Sequence, residues 1–263
     1  MKLEEYRRLK KLREDKLKQD EASFRTYCLN CLRSLNACLC ENLRPFETLF
    51  KYVILMHPKE AKKQTVGTGR YTYLSLKNSK IIVGENFEEN KEVQKILRDT
   101  SLYPFLLYPG EKAHNITKDK LDSRIYSGKQ PLIFILDGTW PCAKSMMRDS
   151  PSLHKLPRIS FDNAIESKFI IKHQPAKYCL STIESVYILI SELEKQGLEK
   201  TEEKKEGLLN MLDHIVKYQV DCANDPNRAS YRKREEGYKK PEERTESVRW
   251  EKRMILFEEK NYD

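Results

Sequence analysis

The sequence predicts an α/β fold built on a mostly parallel sheet and preceded by a small cysteine-rich module. Three observations predict it. Apolar runs such as Tyr52-Val53-Ile54-Leu55-Met56 and Leu132-Ile133-Phe134-Ile135-Leu136 are short and continuous, the pattern of strands buried on both faces. Helix-patterned stretches separate those runs, as crossover connections require. Four of the seven cysteines fall within residues 28–40.

In chain order, residues 1–24 read as an exposed helix of mixed charge with a thin apolar stripe at Leu3, Tyr6, Leu9 and Leu12. Residues 25–45 are cysteine-rich and irregular. Strands are expected at 51–56, 80–83, 104–107, 132–136, 158–161 and 168–171. Helices are expected at 88–98, 141–148, 181–195 and 203–219. The stretch 221–263 is charged, with an apolar patch at Trp250 and at Met254-Ile255-Leu256-Phe257. The expected division is an N-terminal helix and cysteine module over 1–45, an α/β domain over 46–220 and a charged extension over 221–263.

Composition narrows the function classes. No apolar run approaches the ~20 residues a bilayer span needs. The start Met1-Lys2-Leu3-Glu4-Glu5-Tyr6 lacks the apolar core of a secretory signal. An intracellular, cytoplasmic address is the expectation, and with it cysteines that serve metal rather than a disulfide framework. The net charge of +9 is confined to one region. Residues 1–80 carry 18 Lys/Arg against 9 Asp/Glu, and the remaining chain carries 31 of each. A concentrated positive field suits a polyanion, because Lys and Arg beside phosphates release counterions. A solvated, charge-laced helix would give the same count.

The cysteines follow the pattern C-x2-C-x6-C-x-C: Cys28, Cys31, Cys38 and Cys40. Zinc takes four thiolates in a tetrahedron, and a closed set of four leaves no open position, so the expected role is structural. Buried unliganded thiols or an iron–sulfur cluster are the alternatives. After the first strand comes His57-Pro58-Lys59-Glu60-Ala61-Lys62-Lys63-Gln64-Thr65-Val66-Gly67-Thr68-Gly69-Arg70, read as a basic loop at a strand's carboxyl end, where α/β sheets bind ligands. Gly-x-Gly without a third glycine is no dinucleotide fingerprint. Asp137-Gly138-Thr139-Trp140 ends a strand and opens a helix, so its carboxylate and indole could meet a ligand, or Thr139 and Asp137 could simply cap. Leu156-Pro157-Arg158-Ile159-Ser160-Phe161 leads into a strand. Leu180-Ser181-Thr182-Ile183-Glu184 starts a helix with the spacing of a capping box.

Together these segments, with Leu107-Tyr108-Pro109-Gly110, resemble the DTW-domain family of tRNA-uridine aminocarboxypropyltransferases. The motifs occur in family order over about residues 28–195, and six in series are specific where each alone is weak. The spacing of Cys38 and Cys40 agrees with the family. Gly67 stands where the family often has asparagine, and Lys62 and Lys63 where arginine is usual. The resemblance implies a SPOUT-like sheet with a C-terminal trefoil-type knot that holds S-adenosylmethionine. It implies transfer of the donor's 3-amino-3-carboxypropyl group to uridine N3 in tRNA, with methylthioadenosine leaving as a neutral thioether. By the same analogy Leu107, Tyr108, Gly110, Asp137, Gly138, Leu156, Arg158, Ser160, Leu180, Ser181, Thr182 and Glu184 would line the donor site. Asp137, Thr139 and Trp140 would serve catalysis, Asp137 as base or as partner of the donor's ammonium. His57, Lys62, Lys63 and Arg70 would face tRNA. The alternatives are a SPOUT-type RNA methyltransferase using the same donor, and a non-catalytic zinc-containing RNA-binding protein.

Overall fold

The computed structural model describes residues 11–12, 15, 26–63, 67–162, 166–171 and 179–225. They fall into two compact units that divide between Glu41 and Asn42. Most of the helix expected over 1–24 and the extension beyond Asp225 lie outside the described residues; Lys11, Leu12 and Asp15 are helical.

The first unit is organised by its cysteines. Cys28 N–H donates to the Arg33 carbonyl at 2.7 Å and Leu32 N–H to the Cys28 carbonyl at 2.8 Å. A bridge between Tyr27 and Ser34 closes this small turn. Leu32 sits at φ 58°, the left-handed conformation that returns the chain. A single 3-10 turn, Leu35–Ala37, then carries the chain toward Cys38.

The second unit is a six-stranded sheet, every pair of which is parallel. Its strands are β1 (Lys51–Met56), β2 (Ser79–Val83), β3 (Leu102–Leu107), β4 (His114–Asn115), β5 (Gln130–Asp137) and β6 (Arg158–Ser160), in the order β2-β1-β5-β3-β6-β4. The helices are α1 (Pro58–Lys63), α2 (Thr68–Ser75), α3 (Lys91–Arg98), α4 (Trp140–Arg148), α5 (Pro151–His154), α6 (Thr182–Lys195) and α7 (Glu206–Asn224). On one face of the sheet Val53, Leu55, Ile82, Leu106, Leu132 and Phe134 form a core with Val93 of α3, Met146 and Met147 of α4 and Leu153 of α5. Alternation sends Tyr52, Ile54, Met56, Ile133 and Ile135 to the other face, where α2 lies on β1 and β2 and packs with α6 and α7. Burial on both faces explains why these strands read as unbroken apolar runs.

Three expectations change. The segment 57–70 is not one loop. Pro58 opens α1 and Gly67 precedes α2, because a proline suits the first helical turn and Glu60, Ala61, Lys62 and Lys63 are good helix formers. Residues 168–171 form a turn rather than a strand; Lys168 N–H is taken by the Glu184 carboxylate at 2.7 Å instead of by a neighbouring strand. Third, β4 and α5 are additions too short for any periodic signal. Among the described residues no helix is long and apolar enough to cross a membrane.

Candidate donor site and cysteine cluster

Parallel strands end on one edge of the sheet, and the chain's functional candidates collect there. β1 runs out to β2 on one side while β3 leads to β4 and β6 on the other, so the switch in direction lies around the central strand β5. Crevices open at such points. Here the crevice is a cavity of about 400 Å³. Leu107 and Tyr108 from the end of β3, Gly138 and Trp140 after β5, Ser160 at the end of β6, and Leu180 and Thr182 at the start of α6 line it. All seven were singled out from sequence. Pro109 and Phe161, from two of the same motifs, line it too; Asp162, Cys179 and Ser185 also line it and were not singled out. Ser185 was findable, since it stands three residues after Thr182 on the same helical face.

Several expected residues lie beside the cavity rather than in its described lining. Asp137 is 6% exposed. Its carboxylate accepts a hydrogen bond from Thr182 Oγ1 at 2.5 Å, and its carbonyl accepts one from His57 N–H at 2.9 Å. Gly69, in the first turn of α2, lies so near that a Cβ there would fall 2.3 Å from the carboxylate. Asp137 therefore ties the ends of β1 and β5 to the starts of α2 and α6. Thr139 caps α4: its exposed hydroxyl accepts from Cys142 N–H and donates to Cys142 Sγ at 3.1 Å. Leu156 packs against the sheet core.

Glu184 is buried, and its acceptor capacity is spent within the protein. It receives Ser181 N–H at 2.8 Å, Ser181 Oγ at 2.5 Å, Ser167 Oγ at 2.8 Å and Lys168 N–H at 2.7 Å. The capping box is real, and it also staples the turn after residue 166 to α6.

Arg158 and Gly110 form a neighbouring feature. The Arg158 guanidinium lies 5.7 Å from the Tyr108 ring centroid. Gly110, at φ 142°, adopts a conformation that side chains rarely tolerate, and a Cβ there would touch Arg158 Nη1 at 3.7 Å. Burial against the core pushes the Tyr108 phenol up, and the Arg158 charge offsets part of that.

His57, expected at an RNA surface, is buried at 3% exposure. Lys59 N–H donates to Nδ1 at 3.1 Å, so Nε2 carries the proton that faces Glu85 Oε1 at 3.0 Å. With both ring nitrogens engaged, it orders the end of β1 and offers nothing to a phosphate. Lys62 is exposed on α1, and Arg70 is half-buried on α2; the Lys63 side chain lies outside the described residues.

In the first unit the Sγ atoms of Cys28, Cys31, Cys38 and Cys40 all lie within 4.8 Å of one another. The pairs Cys28–Cys40 and Cys31–Cys38 are each 3.8 Å apart. Thiolates on a tetrahedron around an ion ~2.3 Å away would be separated by about 3.8 Å, so the set fits zinc. None of the four forms a disulfide. The backbone amides of Cys31 and Asn30, aimed at the sulfur, pull the Cys28 thiol down to about 6. Burial pushes Cys38 and Cys40 up.

A parallel α/β sheet with a cavity at its switch point and a four-thiol cluster in a separate unit describes a class: an α/β ligand-binding domain with a metal-fit module. Residues 25–220 match the DTW domain model. The chain belongs to the DTW domain family. It is 31% identical over 209 residues to tRNA-uridine aminocarboxypropyltransferase 2 of Drosophila melanogaster, covering 77% of this chain and 78% of that one. It is 30% identical to the protein of the same name in Mus musculus, covering 76% and 66%. With tRNA-uridine aminocarboxypropyltransferase A of Arabidopsis thaliana it shares 25% identity over 76% and 83%. No solved structure gives a significant match.

Proposed function

We propose that this chain transfers the 3-amino-3-carboxypropyl group of S-adenosylmethionine to N3 of a uridine in tRNA. The observation that carries the reading is the cavity at the ends of β3, β5 and β6, where motifs scattered over seventy-odd residues of sequence converge. Its volume of about 400 Å³ suits a nucleoside-sized ligand. Family membership and the names of the relatives support the chemistry.

In this reaction the N3–Cγ bond forms as the carbon–sulfur bond breaks. The electron pair stays on sulfur, and the N3 proton passes to solvent or a base. The sulfonium already activates the leaving group, so the protein's task is alignment. Trp140 and Tyr108 offer faces for adenine or for an extruded uracil. Leu107, Gly138, Ser160, Leu180 and Thr182 shape the donor's bed. Asp137 acts through Thr182: its carboxylate holds the hydroxyl and with it the start of α6, so we assign it a positioning role rather than that of the base. Glu184 and Ser181 serve the site by fixing the same helix end.

We read the sheet as SPOUT-like, with the segments around 156–160 and 180–184 belonging to a trefoil-type knot. We assign residues 1–45 to a module in which Cys28, Cys31, Cys38 and Cys40 hold structural zinc, 46–220 to catalysis and 221–263 to a charged extension. The basic first third, with Lys62, Lys63 and Arg70, grips the tRNA backbone in the cytoplasm.

The test is incubation of unmodified tRNA with the full chain and S-adenosylmethionine, followed by mass spectrometry of the nucleosides. A uridine heavier by an aminocarboxypropyl group is expected. A methylated nucleoside would move the assignment to methyl transfer. No adduct and no donor binding by calorimetry would leave only nucleic-acid binding.

A further inference from the structure

Arg158 stands beside the cavity, and the side chains that hold it are an imidazole and an aromatic ring. β6 places Arg158 and Ser160 on the same face of the sheet, two residues apart. Ser160 lines the cavity, so Arg158 projects one step behind that wall, against the Tyr108 ring that also lines it. Among the described residues its guanidinium makes one hydrogen bond, from Nη2 to His154 Nδ1 at 3.2 Å. A guanidinium only donates, so Nδ1 must accept, and the imidazole proton then sits on Nε2. There it meets the Met147 carbonyl at 2.8 Å. In that arrangement the exposed His154 ring bridges the end of α4 and β6. Among the described residues no carboxylate pairs with Arg158. A Cβ at Gly110 would stand 3.7 Å from Nη1, in ordinary contact, so the glycine is called for by its φ of 142° rather than by crowding.

A guanidinium held by an imidazole, set over a cavity-wall aromatic and, among the described residues, without a counter-anion, is a receptor waiting for a planar anion. We propose that Arg158 binds the carboxylate of the donor's amino-acid arm and that His154 is the positioning residue that aims it. This inference rests on the assignment of the cavity to S-adenosylmethionine.

Calorimetry on the full chain tests it with two ligands: S-adenosylmethionine, and methylthioadenosine, which lacks the amino-acid arm. Arg158→Gln is expected to weaken the first by about tenfold or more, the scale of one charge-assisted pair, and to leave the second unchanged. His154→Ala is expected to weaken S-adenosylmethionine in the same selective way. It should add nothing on an Arg158→Gln background, because the two act as one unit. His154→Gln, whose amide oxygen can accept from Nη2, should recover part of the loss. Equal weakening of both ligands, or none of the donor, overturns the proposal. It is likewise overturned if Arg158→Gln leaves the donor alone but reduces the salt dependence of tRNA binding, which would assign the guanidinium to a phosphate. A wild-type chain that binds neither ligand overturns the reading of the cavity and this inference together, whereas wild-type donor binding insensitive to Arg158 removes the inference alone.

Discussion

At Asp137 two chemical readings compete, a base facing the ligand or a strut inside the wall, and the surroundings favour the strut. The carboxylate is buried, bonded to Thr182 and pressed against the backbone of α2. Gly69→Ala should be felt at once, since its Cβ would overlap the carboxylate and something must shift. Overpacking of this kind costs about 1–3 kcal/mol, read as a lower midpoint in thermal unfolding, and it should weaken donor binding as the start of α6 moves. A Gly69→Ala chain with wild-type stability and donor affinity would show that the approach is not tight. Asp137→Asn separates the roles further. A strut replaced by an amide should lower donor affinity and rate together, whereas loss of a base would lower the rate with binding intact.

Among the elements, α6 brings Thr182 and Ser185 to the cavity, and both of its ends are tied by acids. At its start Glu184 collects donors from Ser181, Ser167 and Lys168. Glu184→Ala leaves buried N–H groups without acceptors, at about 1–3 kcal/mol each. The expected readout is faster amide exchange at Lys168 together with weaker donor binding; unchanged exchange would mean the staple is dispensable. Near the end of α6 Glu194 meets Lys205 at 2.5 Å and Thr201 N–H at 2.8 Å. Burial pushes that carboxyl up, but the bonds from Lys205 and Thr201 outweigh it and hold it below the usual range. A carboxyl depressed in the folded state adds stability above its unfolded value of 4.5, and that stability is lost as pH falls through the folded value. Lys205→Met should therefore flatten the acid side of the stability profile while leaving its shape near neutrality. A profile that stays as steep would place the acid sensitivity elsewhere.

For the whole molecule the metal and the charge make separate predictions. If the four thiols hold zinc, the purified chain should contain one ion, and Cys31→Ser or a strong chelator should release it. Melting should then be confined to the residues before Asn42, because a segment that short cannot bury a core of its own; hydrogen exchange distinguishes the two units. Loss of exchange protection throughout the sheet would contradict that independence. Neutralising Lys62, Lys63 and Arg70 should weaken tRNA binding and flatten its dependence on salt. An unchanged salt slope would remove these residues from the RNA surface.

Much of this was legible in the residues. Short continuous apolar runs bounded by turns fit strands covered on both faces, so β1 and β5 and the parallel sheet could be read from length and flanks. The C-x2-C-x6-C-x-C spacing announced a four-thiol cluster because few other uses bring four cysteines into so short a stretch. The Ser181–Glu184 pair announced a helix start, since capping is local chemistry. What tertiary structure decided were the facts that depend on distance through space. His57 and Asp137 look like solvent-facing ligands at strand ends, yet neighbouring elements fold over both. The turn at 168–171 resembles a strand in composition but finds its partner in a carboxylate sixteen residues away. Asp162 and Cys179 join the cavity because β6 ends and α6 begins at the same edge. Local patterning specifies which elements form, whereas the burial of a given polar group follows from where the other elements pack, and no periodicity in the chain encodes that.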